Sequence, residues 1–249
     1  MYTTIAYDAS IGTGTSLVYV TPVADQHIRV EGNNVIVPSG MANLLGVYAG
    51  STNIVRAQVE SPSLRRVLLY EVVPLNADRE PASPPLWANL FDTPIPLDEY
   101  EPLRALAYHS GGAAERMSII VFLGDGAATP VTGDIYTVRA ISSTTLTANA
   151  WTNGALTLDQ VLPAGSYACV GFRAQSAGLI AARLVFVGGT WRPGTLGCDA
   201  ATDLNDPIFR RGRLGVLGEF RHDQPPTVDF LSVSADTSEV VWLDLIKTG

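Results

Sequence analysis

The sequence repeats itself. The segment running from Val35 to Val59 returns 125 positions later, so that Pro38 meets Pro163, Gly40 meets Gly165, Gly46 meets Gly171, Ala49 meets Ala174, Ser51 meets Ser176 and Ala57 meets Ala182 without a gap. Apolar positions match in the same register: Leu45 with Val170, Val47 with Phe172, Ile54 with Leu179 and Val55 with Ile180. The period is close to half of the 249-residue chain and is far longer than any solenoid repeat or propeller blade. It predicts two tandem copies of one domain, residues 1–126 and 127–249. The linker falls in LGDGAATPVTGD at 123–134, where small and turn-forming residues follow an apolar strand.

Within each copy, short runs rich in Val, Ile, Leu, Tyr and Thr alternate with clusters of Gly, Pro, Asn, Asp and Ser, the mark of strands joined by turns. Strands are expected at Ala42–Tyr48, Ile54–Gln58, Val67–Val73, Leu103–Tyr108 and Ser118–Leu123 in the first copy, and at Ser166–Ala174, Leu179–Val187, Thr227–Ser232 and Glu239–Ile246 in the second. Gly32-Asn33 signals a hairpin. Helix signals are few: one or two turns at Pro84–Phe91 and a short counterpart at Asp206–Arg211. The expectation is an all-β protein of two eight-stranded antiparallel jelly rolls with one or two short helices. An immunoglobulin-like sandwich is less well supported, because neither copy has paired cysteines flanking a tryptophan.

Composition narrows the function. Apolar residues make up 47% of the chain and charged residues only 16%, which points to a surface largely covered by partners. No apolar run reaches the length of a membrane-spanning helix, and the first residues lack the basic start and apolar core of a secretory signal, so export by that route is not expected. The net charge is −8 and no basic arm is present, which argues against sequence-specific nucleic-acid binding or direct genome packaging. The two cysteines form neither a disulfide framework nor a zinc set. Cys169 falls where the first copy has Leu44, the position of a small buried apolar residue, and a single bridge to Cys198 stays open.

Catalytic patterns are absent. A metal-holding double cupin needs clustered histidines, whereas His27, His109 and His222 are the only three and form no HxH pair. No serine sits in a GxSxG elbow, and the glycine-rich stretches at 12–16 and 124–129 lack a phosphate-loop lysine. Asp98, Glu99 and Glu101 lack the alternating spacing of a calcium loop and read as an acidic, partner-facing loop. No catalytic residue, metal ligand or cofactor is therefore expected. Aligning Pro94-Ile95 with Pro207-Ile208 sets Leu97, Asp98, Glu99 and Tyr100 against Arg210, Arg211, Gly212 and Arg213, so equivalent loops would carry opposite charge and could pair between copies around a ring.

Two small jelly rolls in one acidic, catalytically silent chain resemble the double jelly-roll major capsid proteins of icosahedral viruses, the lineage shared by adenovirus and membrane-containing phages. The resemblance covers the whole chain but rests on architecture and repeat, not on a signature motif. It implies a homotrimer whose six jelly rolls form a pseudo-hexagonal tile. It also implies other capsid proteins as partners, an internal lipid membrane beneath the shell in many members, assembly in the host cytoplasm and a place in the virion capsid. Candidate inter-subunit residues are then Trp87, Phe91 and Tyr100 as aromatic anchors, with Asp98, Glu99, Arg210, Arg211 and Arg213 as charged ones. Trp87, Phe91 and Tyr100 could equally close the end of their own sandwich. The competing class is a carbohydrate- or receptor-binding sandwich in which Trp151 and Trp191 stack on sugars.

Overall fold

The computed structural model describes residues 1–67, 70–72, 79, 88–200 and 207–249. The chain divides into two compact units. Among the described residues, the first comprises Thr3–Arg79 and 88–127, and the second is Ala128–Gly249 joined by Met1–Tyr2.

The first unit contains β1 (Tyr2–Ile11), β2 (Val18–Val20), β3 (Val30–Glu31), β4 (Asn34–Ile36), β5 (Asn43–Gly50), β6 (Ile54–Glu60), helix α1 (Pro62–Val67), β7 (Tyr70–Val72), β8 (Ala88–Asn89), β9 (Ile95–Pro96), β10 (Pro102–His109) and β11 (Glu115–Gly124). One sheet has the order β1-β11-β5, with β8 and β9 side by side on β5; the other runs β3-β4-β10-β6-β7, with β2 also on β10. Counting β2 to β4 as one interrupted strand and β8 with β9 as another gives eight strands lettered B to I along the chain. Their spatial orders are B-I-D-G and C-H-E-F, the jelly roll.

The second unit contains β12 (Tyr136–Ser142), β13 (Thr152–Gly154), β14 (Thr157–Leu158), β15 (Ser166–Gln175), β16 (Leu179–Val185), β17 (Gly194–Cys198), the 3₁₀ turn Pro207–Phe209, β18 (Gly218–Arg221), β19 (Thr227–Ser232) and β20 (Glu239–Lys247). Here β12-β20-β15-β18 repeats B-I-D-G and β13-β19-β16-β17 repeats C-H-E-F. A two-residue parallel contact, Ala174 with Gly197 and Gln175 with Cys198, joins the two halves into one curled sheet.

The units share their irregularities as well as their order. Between β5 and β11, Gly46 faces Phe122 and Leu44 faces Leu123, so Leu45 is skipped. Between β15 and β20, Gly171 faces Asp244 and Cys169 faces Leu245, so Val170 is skipped. Leu45 and Val170 are a pair of the sequence repeat. Val55 is skipped between β6 and β10, and its counterpart Ile180 between β16 and β19. A bulge adds an unpaired residue, local twist and a bend. Finding two at matching positions means that matched residues of the repeat occupy the same places in the two sheets.

Strand alternation places the core. On β10, Leu103, Ala105 and Ala107 are fully buried, and on β20 so are Val241, Leu243 and Leu245, while the residues between them face outward. Gly32 alone of the two hairpin residues has positive φ, as a two-residue turn with glycine first requires. Neither cysteine is in a disulfide and both are buried, so the bridge left open above does not form, and burial pushes the Cys169 thiol up to about 12.

The helices differ from expectation. Of Pro84–Phe91, residues 84–87 lie outside the described residues and Ala88–Asn89 is a strand paired with Gly46 and Val47. At 206–211 only the 3₁₀ turn forms, with Asp206 outside the described residues. The helix that does form, α1, occupies 62–67 and takes in Val67, the first residue of the expected strand Val67–Val73; of the rest, Tyr70–Val72 is a strand and 68, 69 and 73 lie outside the described residues. Its start is built from Ser61, whose hydroxyl accepts from the Leu64 amide, and from Pro62 at the first helical position.

Candidate functional site

The residues singled out by sequence fall into two loops, one in each unit, and each is described within its own unit. The acidic loop lies between β9 and β10. Glu99 accepts hydrogen bonds from the Gly40 amide (2.7 Å) and the Ser39 hydroxyl (2.9 Å), which hold its carboxyl below the usual range. The Tyr100 amide bonds the Val37 carbonyl, and the Glu101 carboxylate accepts from the Ser63 amide and hydroxyl. This lattice holds Tyr100 at φ 64°, a left-handed conformation rare for a non-glycine residue, with 66% of its surface exposed. Asp98 is exposed beside it. Phe91 is buried inside its own unit, tilted against Phe122 at 5.8 Å between ring centroids. Trp87 lies outside the described residues.

In the basic loop, Arg210 points into its own unit. Its guanidinium makes a two-pronged pair with Asp244 (2.7 and 2.8 Å), which also accepts from the Thr137 hydroxyl and the Arg211 amide. Burial alone would push the Asp244 carboxyl up; these bonds and the Arg210 charge outweigh it and hold the pKa down. Arg211, at φ 53°, and Arg213 are exposed.

The strand register corrects the alignment of these loops. Leu44 faces Ile95 on β9, and its repeat partner Cys169 faces Gly218 on β18. Ile95 therefore corresponds to Gly218, not to Ile208, and Glu99 corresponds to His222. The chemistry agrees: the Gly40 amide donates to Glu99, and the Gly165 amide donates to His222 Nδ1 at 3.3 Å. The same duplicated glycine turn is tied down by a carboxylate in one copy and an imidazole in the other. The acidic and basic loops remain oppositely charged but are not equivalent positions.

One surface was not singled out by sequence. On the outer face of the second unit, Trp242 of β20 lies in register between Arg139 of β12 and Arg173 of β15. The Arg173 guanidinium sits over the indole at 4.6 Å. Arg139, paired with Asp159, and Ile141 are both more than 40% exposed, and Trp242 is half-buried. Asp244, which the basic loop engages, is the next outward residue of the same strand, so Arg211 borders this face. The corresponding row in the first unit is Tyr48 facing Ile120, both fully buried. On that face Arg79 pairs with Asp8 and bonds Ser118, and Phe91 packs on Phe122. The signal in the sequence was the alternation Val240, Trp242, Asp244, legible only once β20 had a sided partner.

Of the tryptophans offered for sugar stacking, Trp151 has the Arg183 guanidinium 4.1 Å above its ring, and that guanidinium pairs with Asp229. One face of the indole is thus occupied. Trp191 lines a shallow, open depression with Val187 and Thr190. Among the described residues, no group of three or more His, Cys, Asp or Glu side chains is placed to hold a metal ion, and no helix is long and apolar enough to cross a membrane.

No family model matches the sequence, and no curated protein matches it. Among solved structures, the crystal structure of the major capsid protein P2 from Bacteriophage PM2 is similar over 97% of this chain and 98% of that one, with 13% sequence identity and a TM-score of 0.28. A likeness that faint leaves the strand order as the measure of the fold.

Proposed function

We propose that this chain is a structural capsid protein of an icosahedral virus, and that three copies form a pseudo-hexagonal tile. The observation that carries this reading is the B-I-D-G and C-H-E-F order occurring twice in one chain, with bulges at matching positions. A duplicated domain lets a trimer present six similar sandwiches, while divergence between the copies allows distinct contacts around the ring. Domains 1–126 and 127–249 are the two places in that tile. Low charge fits a molecule flanked by neighbours on several sides. Its partners would be itself and other capsid proteins, over a lipid membrane in the manner of the phages it resembles. Assembly would take place in the host cytoplasm, and no catalytic role is assigned.

The test is direct. Purified full-length protein should give trimers by mass measurement and hexagonal tiles or closed shells by negative-stain microscopy. Monomers at every concentration and salt would overturn the reading. Binding to a glycan array by a small oligomer would favour the lectin-like alternative.

A further inference from the structure

We infer that the outer face around Trp242, continued by the loop carrying Arg211 and Arg213, is a docking surface for a second copy of this chain, which meets it with the acidic loop Asp98–Tyr100. This rests on the capsid reading and names one contact within the tile.

Three observations support it. The same sheet face is closed in the first unit, where Tyr48 and Ile120 are fully buried, but half open in the second, where Trp242 is half-buried and Ile141 exposed. A sheet face that is partly open in one copy of a duplicated fold and carries an indole and an exposed isoleucine fits an intermolecular cover. The composition is that of an interface centre: an indole held rigid by a stacked guanidinium, with Ile141 beside it. Charge complementarity selects the occupant. Arg173, Arg211 and Arg213 gather at this face and the loop bordering it, beside the Arg139–Asp159 pair, on a molecule of net charge −8, so an acidic surface of another copy fits it. The exposed loop of Asp98 and Tyr100, with Asp92 nearby in sequence, offers such a surface on a stiff backbone. A loop whose backbone is already held by hydrogen bonds loses little backbone entropy on docking.

The test uses the full-length chain and two variants, Trp242→Glu at the half-buried centre of the face and the paired change Arg139→Glu with Ile141→Glu at two exposed positions, so that the second reports on the face even where the first disturbs the fold. Each should keep the wild-type circular dichroism and melting temperature while weakening self-association at least tenfold by mass photometry. If wild type assembles and both variants assemble as it does, the inference falls and the capsid reading stands. If wild type never assembles, both fall. Binding of monomeric wild type to phosphatidylglycerol vesicles, lost in both variants, would overturn the inference in favour of an anionic membrane.

Discussion

At the scale of residues, divergence between the two copies is concentrated in what each places against the same glycine. Gly46 faces Phe122, which packs on Phe91; Gly171 faces Asp244, which pairs with Arg210. A Cβ on Gly171 would overlap the Asp244 carboxylate. One copy thus carries an apolar lid and the other an ionic one. Removing one member of a buried pair leaves an uncompensated charge, so Asp244→Ala should cost about 3–5 kcal/mol. Because the folded pKa is depressed, the contribution of Asp244 is present above the unfolded carboxylate's pKa and is lost as pH falls through the folded value. The gap between wild type and variant in urea denaturation should therefore narrow on acidification. Glu239 behaves in the opposite sense. It is fully buried and neither carboxylate oxygen has a hydrogen-bond partner among the described residues. Burial pushes its pKa up, and the nearby backbone amides of Glu239 and Ser238 and the Ser142 hydroxyl, none of them in hydrogen-bond geometry with the carboxylate, offset that only in part. Its stabilising contribution is full below the unfolded pKa and declines as pH rises through the folded one. Glu239→Gln should raise the melting temperature by a few degrees at pH 8 and by less at pH 4; an equal shift at both would count against a raised pKa.

At the scale of elements, each copy fastens its β-turns with side chains from another strand or loop. The turn after β5 is held by Glu115, which accepts from Ser51 and from the amide and side chain of Asn53. The turn after β15 is held by Asp236, which accepts from Ser176 and the Ala177 amide and is kept ionised by those bonds. Glu115→Ala should cost about 1–2 kcal/mol and speed hydrogen exchange at Ser110, whose amide bonds the Asn53 carbonyl in the same turn; unchanged exchange there would disprove the clamp. These devices explain which parts of the fold were legible in the sequence. Strands D and E and their turns carry glycine, proline and serine at fixed places because backbone geometry requires them, so the repeat showed through. The bulges at Leu45, Val170, Val55 and Ile180 were invisible, since a skipped residue exists only relative to a partner strand. The G strands were misaligned because the segments before them have different jobs, burying Phe91 in one copy and presenting Arg210 to Asp244 in the other. Without that register, Glu99 and His222 could not be seen to bind the same turn amide.

At the scale of the whole molecule, the question is how a chain with so few charges chooses the right neighbour. Apolar contact supplies affinity with little orientation, whereas a few exposed charges on stiff loops supply register. Glu99 and Arg210 are engaged within their own units, whereas Asp98 on one loop and Arg211 with Arg213 on the other are exposed at the surface. If these loops meet between copies, Asp98→Arg or Arg213→Asp alone should weaken assembly by placing like charges together. The combined exchange should restore much of it, because each contact is again oppositely charged. Raising salt from about 0.05 to 0.5 M should weaken wild type and the exchanged pair alike, through screening over a Debye length that falls to several ångströms. Singles that assemble as wild type does, or a combined exchange no better than either single, would show that these loops do not face one another. Register would then have to come from the shape of the sheet faces alone.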